Sequence, residues 1–288
     1  SLEVGQAHYS AMCYEHGGIV DDLLVYKKED EFMVVVNASN REKDLEWLIS
    51  NIQGNVTIKD ISEKIGLIAI QGPRSRDILQ MLTDSNLSNL SFYHFVDGKV
   101  SGREAIISRT GYTGELGYEI YSSSNDIINV WNQIMDAGLD HGIEPVGLGC
   151  RDTLRMEMKY TLYGNDIDEK TNPIEAGLGW ITRLKKDEFI GKEALLEAKK
   201  NVTRRLVCIE MVEKAIPRNG YPIFLDEEVV GVITSGTMSP SLEKGIGIGF
   251  VNTPYTEAGT DLIIDIRGKK KSAVIVKPPF YAKGSLMD

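Results

Sequence analysis

Apolar positions in residues 1–201 recur with both strand and helix periods. Short apolar runs at 23–26 and 32–36 flank a charged connection, which predicts a β-hairpin. Leu45, Leu48, Ile49 and Ile52 recur at helical spacing after residues 39–42, which have the form of a capping box, so a helix is predicted through about Ser50. Further strands are predicted at 65–70, 92–95, 99–100, 103–108 and 117–121, and further helices at 78–82, 126–135, 148–158 and 191–199.

Turn and capping signals join these elements. Asp97-Gly98 and Ser101-Gly102 are predicted to be tight turns between short strands, and Asn125 is predicted to cap the helix that follows it. The strands alternate with helices, but they connect through hairpins and not through regular crossovers. The pattern therefore predicts an α+β fold for this region.

The pattern changes after about Asn201, where short apolar runs and turns follow one another without helices. Regular turn signals at this spacing predict a separate β-barrel or sandwich-like unit. The glycines of residues 245–249 do not predict a dinucleotide-binding loop, because the alternation continues into Phe250 as a strand and no helix follows. Two domains are therefore predicted, 1–201 and 202–288. The strands of the second are predicted at 206–211, 221–225, 229–234, 246–251, 262–266 and 273–276.

Composition and charge restrict the class of protein. The 288 residues are 42% hydrophobic and 26% charged, and no apolar run is long enough to cross a membrane, so no membrane partner is expected. A net charge of −10 argues against a nucleic-acid partner. Cys13, Cys150 and Cys208 form no CxxC pair, which indicates a reducing compartment. The four histidines lack metal-ligand spacing, so no metal site is expected.

The adjacent carboxylates Asp21 and Asp22 interrupt an apolar, strand-like run that begins after Gly17-Gly18. In a strand the two side chains point to opposite faces, so one of them would lie toward the core or a cavity and would need a partner there. The alternative is that both aspartates belong to a solvated turn beside the glycines. Local sequence alone favours the turn.

Other candidate residues have equally ordinary alternatives. Residues 109–115 are rich in glycine and polar groups, which suits either a ligand-binding loop with Arg109 gripping a carboxylate or a simple turn. Arg151 lies near a predicted helix start, where the helix dipole gives no reason for a cation, so a ligand or ion-pair role is favoured. Glu119 suits a solvated strand position. Several tyrosines would suit a flat heteroaromatic ligand, although each could be a packing residue.

Five segments occur in a recognisable order: 17–23, 109–115, 149–152, 162–169, and 234–236 with 239–242. Together they resemble the glycine cleavage T-protein family. The resemblance implies a tetrahydrofolate-dependent aminomethyltransferase that takes the aminomethyl group from the lipoyl arm of the H-protein, releases ammonia and passes the carbon to tetrahydrofolate. It also implies two interleaved α+β subdomains around a folate pocket, a C-terminal barrel, and a cytoplasmic or mitochondrial-matrix location. The family has a further segment ahead of the position matching Tyr9, so this chain is expected to lack it.

The resemblance also assigns site residues. Asp22 matches the family's catalytic carboxylate near folate N10, Glu104 and Glu119 would face the pterin, and Arg151 would lie nearby. Phe92 stands where at least one relative has tyrosine, which puts a hydroxyl contact there in question. The residues implied to line the folate pocket are Tyr9, Tyr26, Tyr93, Tyr112 and Tyr160.

Three other interpretations follow from the same resemblance. A non-catalytic folate-binding protein of the iron-sulfur assembly type would carry a Lys-Gly-Cys-Tyr-x-Gly-Gln-Glu segment, which this sequence lacks. The folate domain of a dimethylglycine or sarcosine dehydrogenase would need an attached flavin domain. An inactive remnant would result if the family's N-terminal segment were essential.

Overall fold

The predicted hairpin around the two aspartates forms the centre of the first sheet in the computed structural model, which describes residues 2–288. Strands β1 (Ala7–Cys13), β2 (Ile19–Lys27) and β3 (Phe32–Val35) are antiparallel and neighbour one another in that order. Asp21 and Asp22 lie within β2 and not in a turn. Strand β1 was not predicted, because small and polar residues interrupt its apolar positions.

Helix α1 (Arg41–Asn51) follows this sheet and departs from the prediction in two ways. The capping-box prediction was wrong, because the N-cap residue is Asn40 and not Ser39, and the Asn40 side chain makes no cap hydrogen bond. Its Nδ2 donates instead to Asp21 Oδ1 at 2.7 Å. The predicted apolar face was also wrong, because Asp44 is the buried residue of the helix and Ile49 is 56% exposed. Hydrophobic spacing therefore located the helix but not the side that it buries.

The second sheet is four-stranded and antiparallel, in the order β4-β7-β6-β5. The predicted Asp97-Gly98 turn was wrong, because both residues lie inside β5 and the chain turns at Ser101-Gly102. Gly98 serves close packing, since a Cβ there would lie 2.6 Å from Ser85 Oγ. The elements are β4 (Ile65–Gln71), α2 (Ser75–Gln80), β5 (Phe95–Val100), β6 (Arg103–Ser108), β7 (Gly117–Ser123) and α3 (Ile127–Gly138).

The two sheets share aromatic packing. Tyr26 from β2 packs edge-on against Phe95 and Tyr121 of the second sheet, with ring centroids 5.2 and 5.7 Å apart. The predicted cap was wrong, since Asp126 and not Asn125 precedes α3 and neither side chain caps it. Helices α4 (Leu148–Glu157) and α5 (Lys192–Lys200) complete the α+β region. None of the helices within residues 2–288 is long and apolar enough to cross a membrane.

The C-terminal region is a closed, antiparallel barrel of six strands in the order β10-β11-β8-β13-β12-β9, as predicted. The glycine-rich segment 245–249 lies in β11, where a Cβ on Gly245 would come within 1.9 Å of Ala215 O. Its glycines therefore permit close chain packing within a strand. The strands are β8 (Arg204–Met211), β9 (Pro222–Leu225), β10 (Glu228–Ser239), β11 (Lys244–Asn252), β12 (Asp261–Ile266) and β13 (Lys269–Val276).

A buried polar network joins α4 to the barrel. Arg155 is 1% exposed, and its guanidinium donates to Asp166 Oδ2 at 2.6 Å and to Ser235 Oγ of β10 at 3.0 Å. Thr234 donates to the other oxygen of Asp166, and Glu157 accepts from the hydroxyl of Ser239. Two of the sequence segments that carried the family resemblance therefore serve this junction.

We expect Arg155→Met to lower the free energy of unfolding by about 3–5 kcal/mol, because it leaves the Asp166 carboxylate buried without its cation. Chemical denaturation monitored by circular dichroism measures this change. Arg74→Met is the matched control, since Arg74 is an exposed arginine with a loose ion pair to Asp77 at 3.8 Å and should shift stability by less than about 1 kcal/mol. Equal losses in the two variants would contradict a special role for the network.

Candidate active site

Asp21 and Asp22 are both held by the amide of Asn37, which follows β3. Asn37 Nδ2 donates to Asp21 Oδ1 and to Asp22 Oδ1, each at 2.9 Å, and the backbone N–H of Asn37 donates to Asp21 Oδ2 at 3.0 Å. Asp21 is fully buried, whereas Asp22 is partly exposed. Asp21 is therefore the supporting carboxylate, and Asp22 is the one that a ligand can reach.

Asp22 is set up to exchange a proton near neutral pH. Burial, with a smaller contribution from the charge of Asp21, raises the pKa of its carboxyl to about 6, although hydrogen bonds from Tyr9 and Asn37 oppose the shift. The hydroxyl of Tyr9 donates to Asp22 Oδ2 at 2.8 Å. A carboxylate in this pKa range is suited to general acid-base chemistry.

A flat aromatic surface lies beside this pair. The rings of Tyr112 and Tyr160 stack at 5.5 Å with an interplanar angle of 27°, and the guanidinium carbon of Arg151 lies 4.5 Å from the centroid of the Tyr112 ring. Thr161 connects this surface to the carboxylate, because its backbone oxygen accepts from the Tyr112 hydroxyl and its Oγ1 lies 3.5 Å from the Tyr9 hydroxyl. The arrangement offers a stacking surface and a cation next to a proton acceptor.

Tyr26 and Glu119 belong to a buried hydroxyl network. The Tyr26 hydroxyl lies 3.0 Å from that of Tyr121 and accepts from Ser108 Oγ at 3.2 Å. Thr110 donates to the carboxylate of Glu119, whose pKa is raised by burial. The solvated strand position considered for Glu119 is thus wrong. Tyr26 acts within this network, which holds Glu119 in place.

Of the remaining candidates from the sequence, one lies near the site and two do not. Tyr93 is partly buried against the cluster that contains Tyr26 and Tyr121, with a left-handed backbone at φ 60°. Glu104 is not brought to the site, because its side chain is 82% exposed and pairs with Lys99 at 3.1 Å. Arg109 does not reach it either, since its Nη2 donates to the backbone oxygens of Leu286 and Asp288.

Sequence reasoning missed several residues that complete the site. Asn37, Asn40 and Thr161 each contact a predicted site residue, but a lone asparagine or threonine in a loop gives no pattern to detect. Trp180 was missed as well; it remains 68% exposed although its ring lies 6.0 Å from that of Tyr9. Among residues 2–288, no group of three or more histidine, cysteine, aspartate or glutamate side chains could hold a metal ion.

The structure thus defines an α+β protein with a carboxylate and tyrosine site, joined to a six-stranded barrel. Comparison with known families matches residues 1–186 to the GCVT N-terminal domain and residues 204–282 to the glycine cleavage T-protein C-terminal barrel domain. The chain belongs to the glycine cleavage T-protein family.

Individual relatives agree with this assignment. An aminomethyltransferase from Listeria innocua is 49% identical over 286 residues, which cover 98% of this chain and 78% of the relative. One from Bacillus cereus is 46% identical over 287 residues, with the same coverage of both chains. The crystal structure of glycine cleavage system aminomethyltransferase T from Bartonella henselae superposes with a TM-score of 0.89 at 30% identity, covering 99% of this chain and 78% of that one.

We expect Asp22→Asn to be more stable than the unmodified protein at neutral pH. Because the folded-state pKa of Asp22 is about 6, above the ordinary 3.8, the native state binds more protons than the unfolded state between these values, and stability falls as pH rises through them. Removing the carboxyl should raise the free energy of unfolding by about 1–2 kcal/mol at about pH 7 and by much less near pH 4.

Urea denaturation at the two pH values measures this difference. Asp84→Asn is the control, because Asp84 is exposed. A gain for Asp22→Asn that did not depend on pH would contradict the shifted pKa.

Proposed function

We propose that the protein is the aminomethyltransferase of the glycine cleavage system. It transfers the methylene carbon of aminomethyl-dihydrolipoyl H-protein to tetrahydrofolate and releases ammonia. The observation that carries the proposal is the Asp22 carboxylate, held by Tyr9 and Asn37 beside the Tyr112–Tyr160 stack. Membership of the T-protein family and relatives named aminomethyltransferase support it.

The chemistry requires proton movement but no covalent bond to the protein. Two folate nitrogens each lose a proton as the methylene bridge forms, and the departing amine and the lipoyl thiolate take up protons. A carboxylate with a pKa of about 6 can accept and return a proton during these steps. Asp22 is therefore proposed as the catalytic residue, and the rest of the site is proposed to position the two substrates relative to each other.

The folate pocket is proposed to form around the aromatic surface. Tyr112 and Tyr160 would stack on the flat part of tetrahydrofolate, while Arg151 would attract its carboxylate. Glu119, at the end of the hydroxyl network, would hydrogen bond to the polar edge of the pterin. Tyr9 and Tyr93 would complete the wall, and Tyr26 supports Glu119. We leave Glu104 out of the pocket because it faces solvent.

We also propose the two domains 1–201 and 202–288 and a cytoplasmic location. The gap between the matched family regions, 187–203, contains α5 and precedes the barrel. A reducing compartment suits Cys13, Cys150 and Cys208, which are all unpaired.

Asp22→Asn and Asp22→Ala are expected to lower the rate of tetrahydrofolate-dependent ammonia release from aminomethylated H-protein by about 10²- to 10⁴-fold, since each removes the proton acceptor. Ammonia release in single-turnover conditions measures this, with Asp84→Asn as control. Unchanged rates in the Asp22 variants would refute the catalytic assignment. Folate binding without turnover in the unmodified protein would instead support a non-catalytic folate-binding protein.

Tyr112→Leu is expected to weaken tetrahydrofolate binding by about tenfold, because it removes a stacking surface and the ring beneath Arg151. Isothermal titration calorimetry measures the affinity. Glu104→Gln is a control with a clear expectation of unchanged affinity, since Glu104 pairs with Lys99 at the surface. An equal effect of both substitutions would place the pocket elsewhere.

A further inference from the structure

Asp44 is a buried acid that the proposed chemistry does not use. It is 0% exposed in the first turn of α1, and neither carboxyl oxygen has a hydrogen-bond partner among residues 2–288. Lys43 Nζ lies 3.8 Å from Asp44 Oδ1, but this ammonium donates to Tyr163 OH at 2.9 Å and to the backbone oxygen of Val20. An ionised carboxylate without hydrogen bonds is costly at such a position.

The groups that face Asp44 come from three elements. Asp21 of β2 lies within hydrogen-bonding reach, and Asp22 of the same strand adds a second like charge. Lys43 of α1 contributes the opposing positive charge, and Tyr14 lies nearby in the β1–β2 connection. Two carboxyl groups in contact do not both ionise at neutral pH, so one of Asp21 and Asp44 retains a proton.

The hydrogen bonds identify which of the two holds the proton. Asp21 accepts three hydrogen bonds, two from Asn37 and one from Asn40, and these stabilise a carboxylate. Asp44 accepts none. The charge therefore resides on Asp21 and the proton on Asp44, whose own hydrogen-bonding need is met when it donates that proton to Asp21.

We propose that Asp44 is a protonated positioning residue, which donates a hydrogen bond to Asp21 and, through Asp21 and Asn37, holds the Asp22 carboxylate in its reactive position. The role for Asp22 rests on the proposed function, whereas the protonation of Asp44 does not. Asp44 does not touch a substrate. It acts by fixing the supporting carboxylate and the amide that the two neighbouring aspartates share.

The electrostatics agree with this geometry. Burial, followed by the neighbouring Asp21, raises the pKa of Asp44 to about 8, while Lys43 opposes the shift. Because the folded-state pKa is raised, the native state binds the additional proton and stability declines as pH rises from the ordinary value of 3.8 toward 8. Above about pH 8, Asp44 ionises and places a second negative charge beside Asp21. This charge disturbs the hydrogen bonds through which Asp21 and Asn37 hold Asp22, so kcat falls as pH rises.

Two substitutions of similar size separate the roles of Asp44. In Asp44→Asn the amide still donates to Asp21, so kcat should stay within about threefold of the unmodified protein and should no longer fall above about pH 8. In Asp44→Leu no donor remains, and kcat should fall by about 10- to 100-fold because Asp22 loses its position. The KM for tetrahydrofolate should change little in either variant, since the Asp44 carboxyl makes no hydrogen bond to the residues of the stacking surface.

Infrared difference spectroscopy between the unmodified protein and Asp44→Asn at about pH 7 tests the protonation without any need for activity. A carboxylic-acid carbonyl band that is present in the first and lost in the second is expected, and Asp84→Asn should leave it unchanged. If Asp44→Asn showed the same carboxylic-acid band as the unmodified protein, the proposal would be overturned, even if the enzyme were active.

Activity then tests the positioning role. A folded Asp44→Leu variant with full kcat would overturn that role, as would identical alkaline pH profiles of the unmodified protein and Asp44→Asn. If Asp44→Leu does not fold, the Asp44→Asn profile decides alone. If the unmodified protein shows no aminomethyl transfer, the proposed function fails while the infrared result still stands on its own.

Discussion

The shared amide of Asn37 is the contact on which the site depends. Adjacent residues of a strand point to opposite faces, which would separate Asp21 from Asp22. Asn37 reaches both from the end of β3 and donates to each carboxylate at 2.9 Å. A single side chain thereby connects the buried, fully hydrogen-bonded carboxylate of Asp21 to the accessible carboxylate of Asp22. The position of Asp22 therefore depends on the surroundings of Asp21.

This dependence explains why several polar side chains are buried behind the site. Asp21 needs Asn40 and Asn37 as donors, and those donors hold the connection that leads into α1. Arg155 and Asp166 form a second polar cluster, which ties the helix that carries Arg151 to the barrel. One cluster therefore holds the carboxylate and the other holds the helix beside the aromatic surface, and Thr161 connects the two parts of the site.

Much of the fold follows from periodicity, and the exceptions have physical causes. The barrel strands and the hairpin were predicted because their apolar positions recur regularly. The position of helix α1 was predicted correctly but its buried face was not, because the helix buries Asp44 and leaves Ile49 exposed. Gly98 suggested a turn, but it serves close packing against Ser85 within a strand. Local propensity cannot distinguish these uses of the same residue.

The site was predictable only in part. Spacing identified Asp21-Asp22 as unusual but could not choose between them, and the choice of Asp22 came from family resemblance. Burial and hydrogen bonding now separate the two. Asn37 and Thr161 could not be predicted, because each makes contacts with residues distant in sequence, and Glu104 was implied by resemblance although its side chain faces solvent.

Thr161 has one further consequence, because it contacts both Tyr112 and Tyr9. A molecule that stacks on Tyr112 bears on the residue whose hydroxyl also adjoins Tyr9, and Tyr9 donates to Asp22. Under the proposed function, a folate stacked on Tyr112 would therefore act on the proton affinity of Asp22 through these shared contacts. By reciprocity, protonation of Asp22 would then shift the affinity for that ligand by the same free energy.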